Sequence, residues 1–132
     1  MTAEDNKAIL VRHYKDVIEG GRVELIDSYF AQQGNSPERF GEFITWLHKI
    51  CTKIKVTVLD MVAEGEKVVV HVQFELTCSS KYLSEYTGEY PPLDQPHTWT
   101  GLEFFQFVDG KYVSMVSFYD SVGRHWPARK VS

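Results

Sequence analysis

Glu103, Ser117 and Asp120 are the side chains around which acid–base chemistry could be built in this chain of 132 residues. They lie in or beside FFQFVDGKYVSMVSFYD, Phe104 to Asp120, which reads as two strands around an Asp-Gly turn. A carboxylate in an apolar pocket can take up and return a proton, because burial raises its pKa toward neutrality. A serine cannot abstract a proton without a base beside it. The remaining reactive residues form no recognisable centre. His13, His48, His71, His97 and His125 show no HxH or HxxxH spacing and no Cys/His cluster, which argues against a metal. There is no glycine-rich phosphate loop, no GxSxG elbow and no signature of a nucleophilic cysteine, and nothing calls for a cofactor.

Which of the three side chains share a face depends on the turn. In a two-residue type I′ loop at Asp109-Gly110, Val108 pairs with Lys111, Glu103 stands opposite Val116, and Asp120 points to the face of Glu103. In a three-residue loop with Gly110 in the left-handed bulge position, Phe107 pairs with Lys111 and the parity flips. Glu103 then lies opposite Met115 with Ser117 on the same face, and Asp120 points away. For Asp120 the simplest role is a cap for a turn or short helix over residues 121–124.

The elements that must position these groups fall into two blocks. Thr2 and Asp5 open a first helix whose stripe runs through Ile9, Leu10, His13, Tyr14, Val17 and Ile18 to a stop at Gly20-Gly21. Val23, Leu25, Ile26, Tyr29 and Phe30 suggest a second, two-turn helix, followed by a loop over Gln32 to Asn35. Ser36 caps a third helix with Pro37 at its first position and Phe40, Phe43, Ile44, Leu47 and Ile50 as its buried stripe. From Lys53 the period changes to 2. Ile54, Val56, Val58 and Val62 alternate with polar residues up to a hairpin turn at Glu64-Gly65-Glu66. Val68, Val70, Val72, Phe74, Leu76 and Cys78 then form one face of a half-buried strand. Ser79 to Pro96, with Pro91-Pro92, reads as a long loop, and 99–107 and 111–119 as the last two strands. Helices first and an antiparallel meander second describe a single α+β domain over 1–132.

Bulk properties narrow the function classes. The chain is 43% hydrophobic and 14% aromatic, enough to bury a core. A formal charge of -4 offers no field for a phosphate backbone, so nucleic acid is not an expected partner. No run approaches the roughly 20 apolar residues of a membrane span, and Met1 leads into charged residues rather than a signal segment. Cys51 and Cys78 could form a lone disulfide or remain two thiols, and reduced, buried thiols are the expectation. The protein is expected to be soluble and cytoplasmic.

The order of elements, with VAEGEKVVVHV, YPPLDQPHTWTGLEFFQFVDGKYV and YDSVG, resembles the SnoaL-like polyketide cyclase family of the nuclear transport factor 2-like superfamily over nearly the whole chain. The matching pieces are Gly65 before Val68 to Val70, Pro91-Pro92, Trp99-x-Gly101-Leu102-Glu103-Phe104-Phe105, and Asp109-Gly110-Lys111. The resemblance implies a cone in which a strongly bent sheet wraps three helices around an apolar pocket. It also implies cofactor-free aldol-type ring closure, in which a pocket carboxylate removes a proton beside a carbonyl and later returns one. Aligned on Asp109-Gly110, the cyclases' catalytic aspartate falls at Ser117 and their pocket histidine at Glu103. Both must face one cavity, which favours the bulged three-residue loop.

On that reading Glu103 and Ser117 are the candidate catalytic positions, and Tyr14, Trp99, Phe105, Met115 and Tyr119 the ligand-binding wall. The plain readings of Glu103 are a buried acid hydrogen-bonded to Tyr14 or Trp99, or an exposed residue of a bent strand. Three departures from the family stand out: a compressed loop at Ala31 to Asn35, a longer segment from Ser79 to Gly88 whose Tyr82 and Tyr86 could cover the mouth, and Arg124-His125-Trp126-Pro127 in place of a C-terminal helix. The expected function is a small hydrophobic ligand-binding protein, either a cofactor-free cyclase or isomerase using Glu103, or a noncatalytic dimeric binding or scaffold module of the same fold. A small apolar or aromatic molecule and a second copy of the chain are the expected partners.

Overall fold

A computed structural model describes residues 2–31, 37–83 and 90–119. Helix α1 spans Ala3–His13 and begins on a complete capping box. The Asp5 amide donates to Thr2 Oγ1 at 3.1 Å and the Thr2 amide to Asp5 Oδ2 at 3.0 Å, satisfying two donors that the first turn would otherwise orphan. The helix widens into a π-helical segment, Tyr14–Glu19, before Gly20 and the left-handed Gly21 end it. A 3-10 turn at Val23–Leu25 leads into α2, Ile26–Tyr29, so the expected second helix is one α-helical turn entered from a tighter one. Helix α3, Pro37–Ile50, buries Ile44 and Leu47 and partly buries Phe40 and Ile50. Phe43, expected in that stripe, stays 41% exposed. Ser36 and the loop of Gln32 to Asn35 lie outside the described residues, as do Tyr86, Asp120 and the C-terminal segment.

Four strands follow: β1 Cys51–Glu64, β2 Lys67–Cys78, β3 Pro96–Val108 and β4 Lys111–Tyr119. They form an antiparallel meander in the order β1-β2-β3-β4, with the helices packed on one face. The core lies between the layers. Val68, Val70, Val72, Leu76 and Cys78 are almost wholly buried, as their alternation requires.

Two bulges decide which residues reach that core. In β1 the register slips between Val58 and Asp60. One extra residue reverses the parity, so Met61 and Ala63 pack inward and Val62, expected on the inner face, is 63% exposed. The second slip corrects the turn. Asp109 and Gly110 both have positive φ, 50° and 80°, and Val108 pairs with Lys111: a two-residue loop of the type I′ kind, not the three-residue loop. Phe107 pairs with Tyr112 but Gln106 with Ser114, so Val113 is the extra residue and the parity flips there instead. Glu103 consequently stands opposite Ser117 itself, and Met115 opposite Phe105.

Among the described residues no helix is long and apolar enough to cross a membrane.

Candidate functional site

Glu103 is 4% exposed on the inner face of β3. Its carboxyl group holds three hydroxyl groups from two other elements. The Tyr14 hydroxyl donates to Oε1 at 2.5 Å from the start of the π-helical segment, where helices commonly distort around function. The Tyr119 hydroxyl donates to Oε2 at 2.5 Å, and Ser117 Oγ approaches the same oxygen at 3.5 Å. None of these partners is cationic. Loss of hydration pushes the Glu103 pKa up, and the hydrogen bonds from Tyr119, Tyr14 and Ser117 pull it partly back. Burial likewise raises Tyr14 well above its usual range, with the Glu103 charge adding to it.

Gly101 makes the Tyr119 bond possible. The two residues are cross-strand partners, and a Cβ at Gly101 would lie 2.5 Å from Tyr119 Cδ1 and 2.8 Å from the Phe118 carbonyl oxygen. With no side chain there, the ring lies across β3 and its hydroxyl reaches Glu103 two residues along.

A cavity of about 570 Å³ opens between α3 and the sheet, within the size range of small-molecule sites. Its walls are mostly apolar: Phe74 and Leu76 from β2, Trp99 from β3, Tyr119 from β4, and Phe43 and Trp46 from α3. Tyr82 stands edge-on to Trp46 at 5.3 Å, so the segment after β2 supplies an aromatic side chain to the cavity lining. Arg39 and Glu42 add charge at the same wall.

The sequence-derived candidates thus divide among three places. Trp99 and Tyr119 line the cavity. Glu103, Ser117 and Tyr14 form the hydrogen-bonded cluster behind Tyr119. Phe105, fully buried against Tyr14 and Tyr112, and the half-buried Met115 belong to the packed core and are not among the lining residues. The α3 wall was not anticipated. Part of its signal was available, since Trp46 is a large apolar residue outside the expected core stripe of α3, whereas Phe43 was expected within that stripe.

Away from the lining residues of the cavity, aromatic rings pack around His13. His13, 3% exposed, is surrounded by the rings of Tyr14, Tyr29, Phe30, Phe40 and Tyr112, and burial lowers its pKa to about 3. Its ring nitrogens lie 3.3 and 3.4 Å from the Tyr112 hydroxyl. A neutral imidazole held this way is a packing element. Cys51 and Cys78 are cross-strand partners with sulfurs 3.1 Å apart, and both are free thiols. Among the described residues no group of three or more His, Cys, Asp or Glu side chains could hold a metal ion.

The family model of the SnoaL-like polyketide cyclases matches residues 8–125. Similar solved structures include TsrD from Streptomyces laurentii, 16% identical with a TM-score of 0.79 over 96% of both chains. Another is a SnoaL-like polyketide cyclase from Agrobacterium tumefaciens, 11% identical with a TM-score of 0.74 over 96% of this chain and 100% of that one. An LEH-like epoxide hydrolase from M. tuberculosis is 9% identical with a TM-score of 0.68 over 91% and 86%. These likenesses show a shared fold, the nuclear transport factor 2-like cone. A search of curated proteins found no significant match.

Proposed function

The chain belongs to the SnoaL-like polyketide cyclase family, and from that premise we propose that its cavity binds a small apolar or aromatic molecule carrying a carbonyl group. On this reading Glu103 exchanges a proton with that molecule, without a cofactor, in a cyclase- or isomerase-type reaction. The observation that carries the reading is a buried carboxyl group with three hydroxyl partners and, among the described residues, no cationic one, joined through Tyr119 to an aromatic-walled cavity. A carboxyl group so placed is costly to bury in charged form and is suited to both giving and taking a proton.

The resemblance puts the cyclases' aspartate at Ser117, and Glu103 is the cross-strand partner of that position. A carboxylate on β3 therefore enters the region that one on β4 would occupy. The reaction class survives the exchange because proton transfer needs the group in place, whichever strand supplies it.

The test uses 1-tetralone, an aryl ketone with exchangeable hydrogens beside its carbonyl. Binding is followed by tryptophan fluorescence, and exchange in deuterated water by loss of the proton signal at that carbon. The wild type should bind the ketone and exchange it faster than buffer, whereas Glu103→Gln should bind it and exchange it at the buffer rate. Equal exchange in both proteins would remove Glu103 from the chemistry, and absence of binding would remove the ligand pocket.

A second reading has its own observation. Leu102, Phe104, Val116 and Phe118 are 42–70% exposed on the outer face of β3 and β4, where Leu102 pairs with Phe118 and Phe104 with Val116. A contiguous apolar patch of this kind suits an isologous interface with a second copy of the chain, in a noncatalytic binding or scaffold module of the cytoplasm. The two readings share one fold and use opposite faces of its sheet.

A further inference from the structure

Cys51 and Cys78 take no part in the acid–base cluster, yet they meet at a corner of the cavity. Cys51 follows directly on Ile50, the last residue of α3, whose Phe43, Trp46 and Leu47 line the cavity. Cys78 ends β2, two residues after the lining Leu76. Polar contacts already tie this corner, since the Ser79 amide and hydroxyl both donate to the Ile50 carbonyl oxygen, at 2.7 and 2.9 Å. Tyr82, another lining residue, stands beside the thiols: burial raises its hydroxyl pKa, and the nearby Cys78 and Cys51 sulfurs raise it further.

The two thiols are also placed for each other. They are cross-strand partners, and directly opposed residues of an antiparallel pair have Cα atoms about 4.5 or 5.5 Å apart. A disulfide spans about 4.4–6.8 Å between Cα atoms, so neither strand has to move. The sulfurs, 3.1 Å apart, need to close by only about 1 Å to reach bonding distance. Cys78 is wholly buried and Cys51 is 8% exposed, which leaves Cys51 as the sulfur that a small reagent reaches first.

We propose that Cys51 and Cys78 are a dithiol–disulfide switch, oxidised by a low-molecular-weight disulfide, and that the bridge fixes the corner of the cavity formed by α3, β2 and Tyr82. The switch does not depend on proton exchange at Glu103.

Oxidation proceeds by two thiol–disulfide exchanges. Cys51 gives up its proton and its sulfur attacks the reagent R–S–S–R. The reagent's S–S bond breaks, a Cys51–S–S–R bond forms, and the departing RS⁻ takes up a proton. Cys78 then gives up its proton and attacks Cys51 Sγ. The Cys51–Cys78 bond forms, and the second RS⁻ leaves and is protonated. The protein loses two electrons and two protons, and the reagent becomes two RSH. Burial pushes the Cys51 thiol pKa up, which slows the first attack without changing the end state. Once formed, the bridge joins the residue after α3 to the residue that ends β2. The wall and Tyr82 then lose freedom before a ligand arrives, and the ordering cost of binding falls.

The test exposes reduced protein to bis(2-hydroxyethyl) disulfide in two ways: folded, and during refolding from urea, where burial no longer slows the first attack. Both routes should give a mass lower by two hydrogens and a peptide map with Cys51 linked to Cys78. The ring signals of Tyr82 should shift on oxidation and return with dithiothreitol. The oxidised protein should bind 1-tetralone about threefold more tightly, the equivalent of one side chain ordered in advance. Folded Cys51→Ala should form no bridge and keep its Tyr82 signals in the same reagent.

Two free thiols or two reagent adducts after refolding would overturn the pairing. A bridge that leaves the Tyr82 signals or the ketone affinity unchanged would overturn the switch. If the ketone binds neither form, the pocket of the proposed function falls, and the Tyr82 signals alone decide whether the switch stands.

Discussion

At Glu103 two physical effects oppose each other. Burial penalises the charged form and the three hydroxyl donors favour it, with burial the larger. The carboxyl carbon signal of Glu103 should therefore titrate above the ordinary carboxylate range near 4.3, and Tyr14→Phe should move the midpoint higher by removing a bond to the charged form. A midpoint at or below that range would show the hydrogen bonds winning. Because the folded pKa is the raised one, the stability linked to Glu103 is fully present below the unfolded pKa and is lost as pH rises through the folded value. His13 has the opposite sign of shift. Its folded pKa, about 3, lies below the ordinary 6.5, so its contribution is complete above 6.5 and falls away with acid. The groups facing it are Tyr14, Tyr29 and Tyr112 with the rings of Phe30 and Phe40. Urea unfolding between pH 7 and 4.5 should lose up to about 1.4 kcal/mol per pH unit from this site, and His13→Phe should flatten that limb.

The elements show why parity governs the site. A strand exposes alternate residues, so the extra residue at Val113 decides that Ser117 and Tyr119 face Glu103 and not solvent. Gly101 then lets one of them cross the neighbouring strand. Gly101→Ala should destabilise the fold by about 1–3 kcal/mol through overpacking, since the neighbours at 2.5 and 2.8 Å include backbone as well as ring atoms. It should also displace Tyr119 from Glu103. Tyr119→Ala in that background should return part of the loss, and additive effects in the double-mutant cycle would separate the two residues. The first helix was legible from Thr2 and Asp5 because a capping box is local chemistry. The widening at Tyr14–Glu19 had no comparable signal. It leaves the side-chain pattern intact while changing the backbone, and the Glu19 carboxylate accepts from the Val56 amide at 2.8 Å where that segment meets β1.

For the whole molecule, the question is how the chain divides its apolar surface among core, cavity and exterior. Aromatic residues pack around His13, the cavity opens under α3, and Leu102, Phe104, Val116 and Phe118 remain on the outer sheet face. If that face joins two copies, sedimentation should give a dimer for the wild type and a monomer for Phe118→Lys, because a charge at the centre of an apolar patch must be desolvated to keep it buried. A wild-type monomer at working concentration would remove the dimeric reading. The division between helical and strand halves and the inward face of β2 were readable from residue spacing, since period and local capping are properties of neighbouring residues, whereas a shared face for Glu103 and Ser117 was implied only by the family resemblance. The registers of β1 and β4, the α3 wall and the Tyr119 link were decided only in three dimensions. A bulge costs one residue and leaves almost no trace in composition, yet it turns every later side chain to the other face. The sequence by itself determined which fold and which reactive groups this protein has; tertiary packing decided that its carboxyl group sits behind a tyrosine.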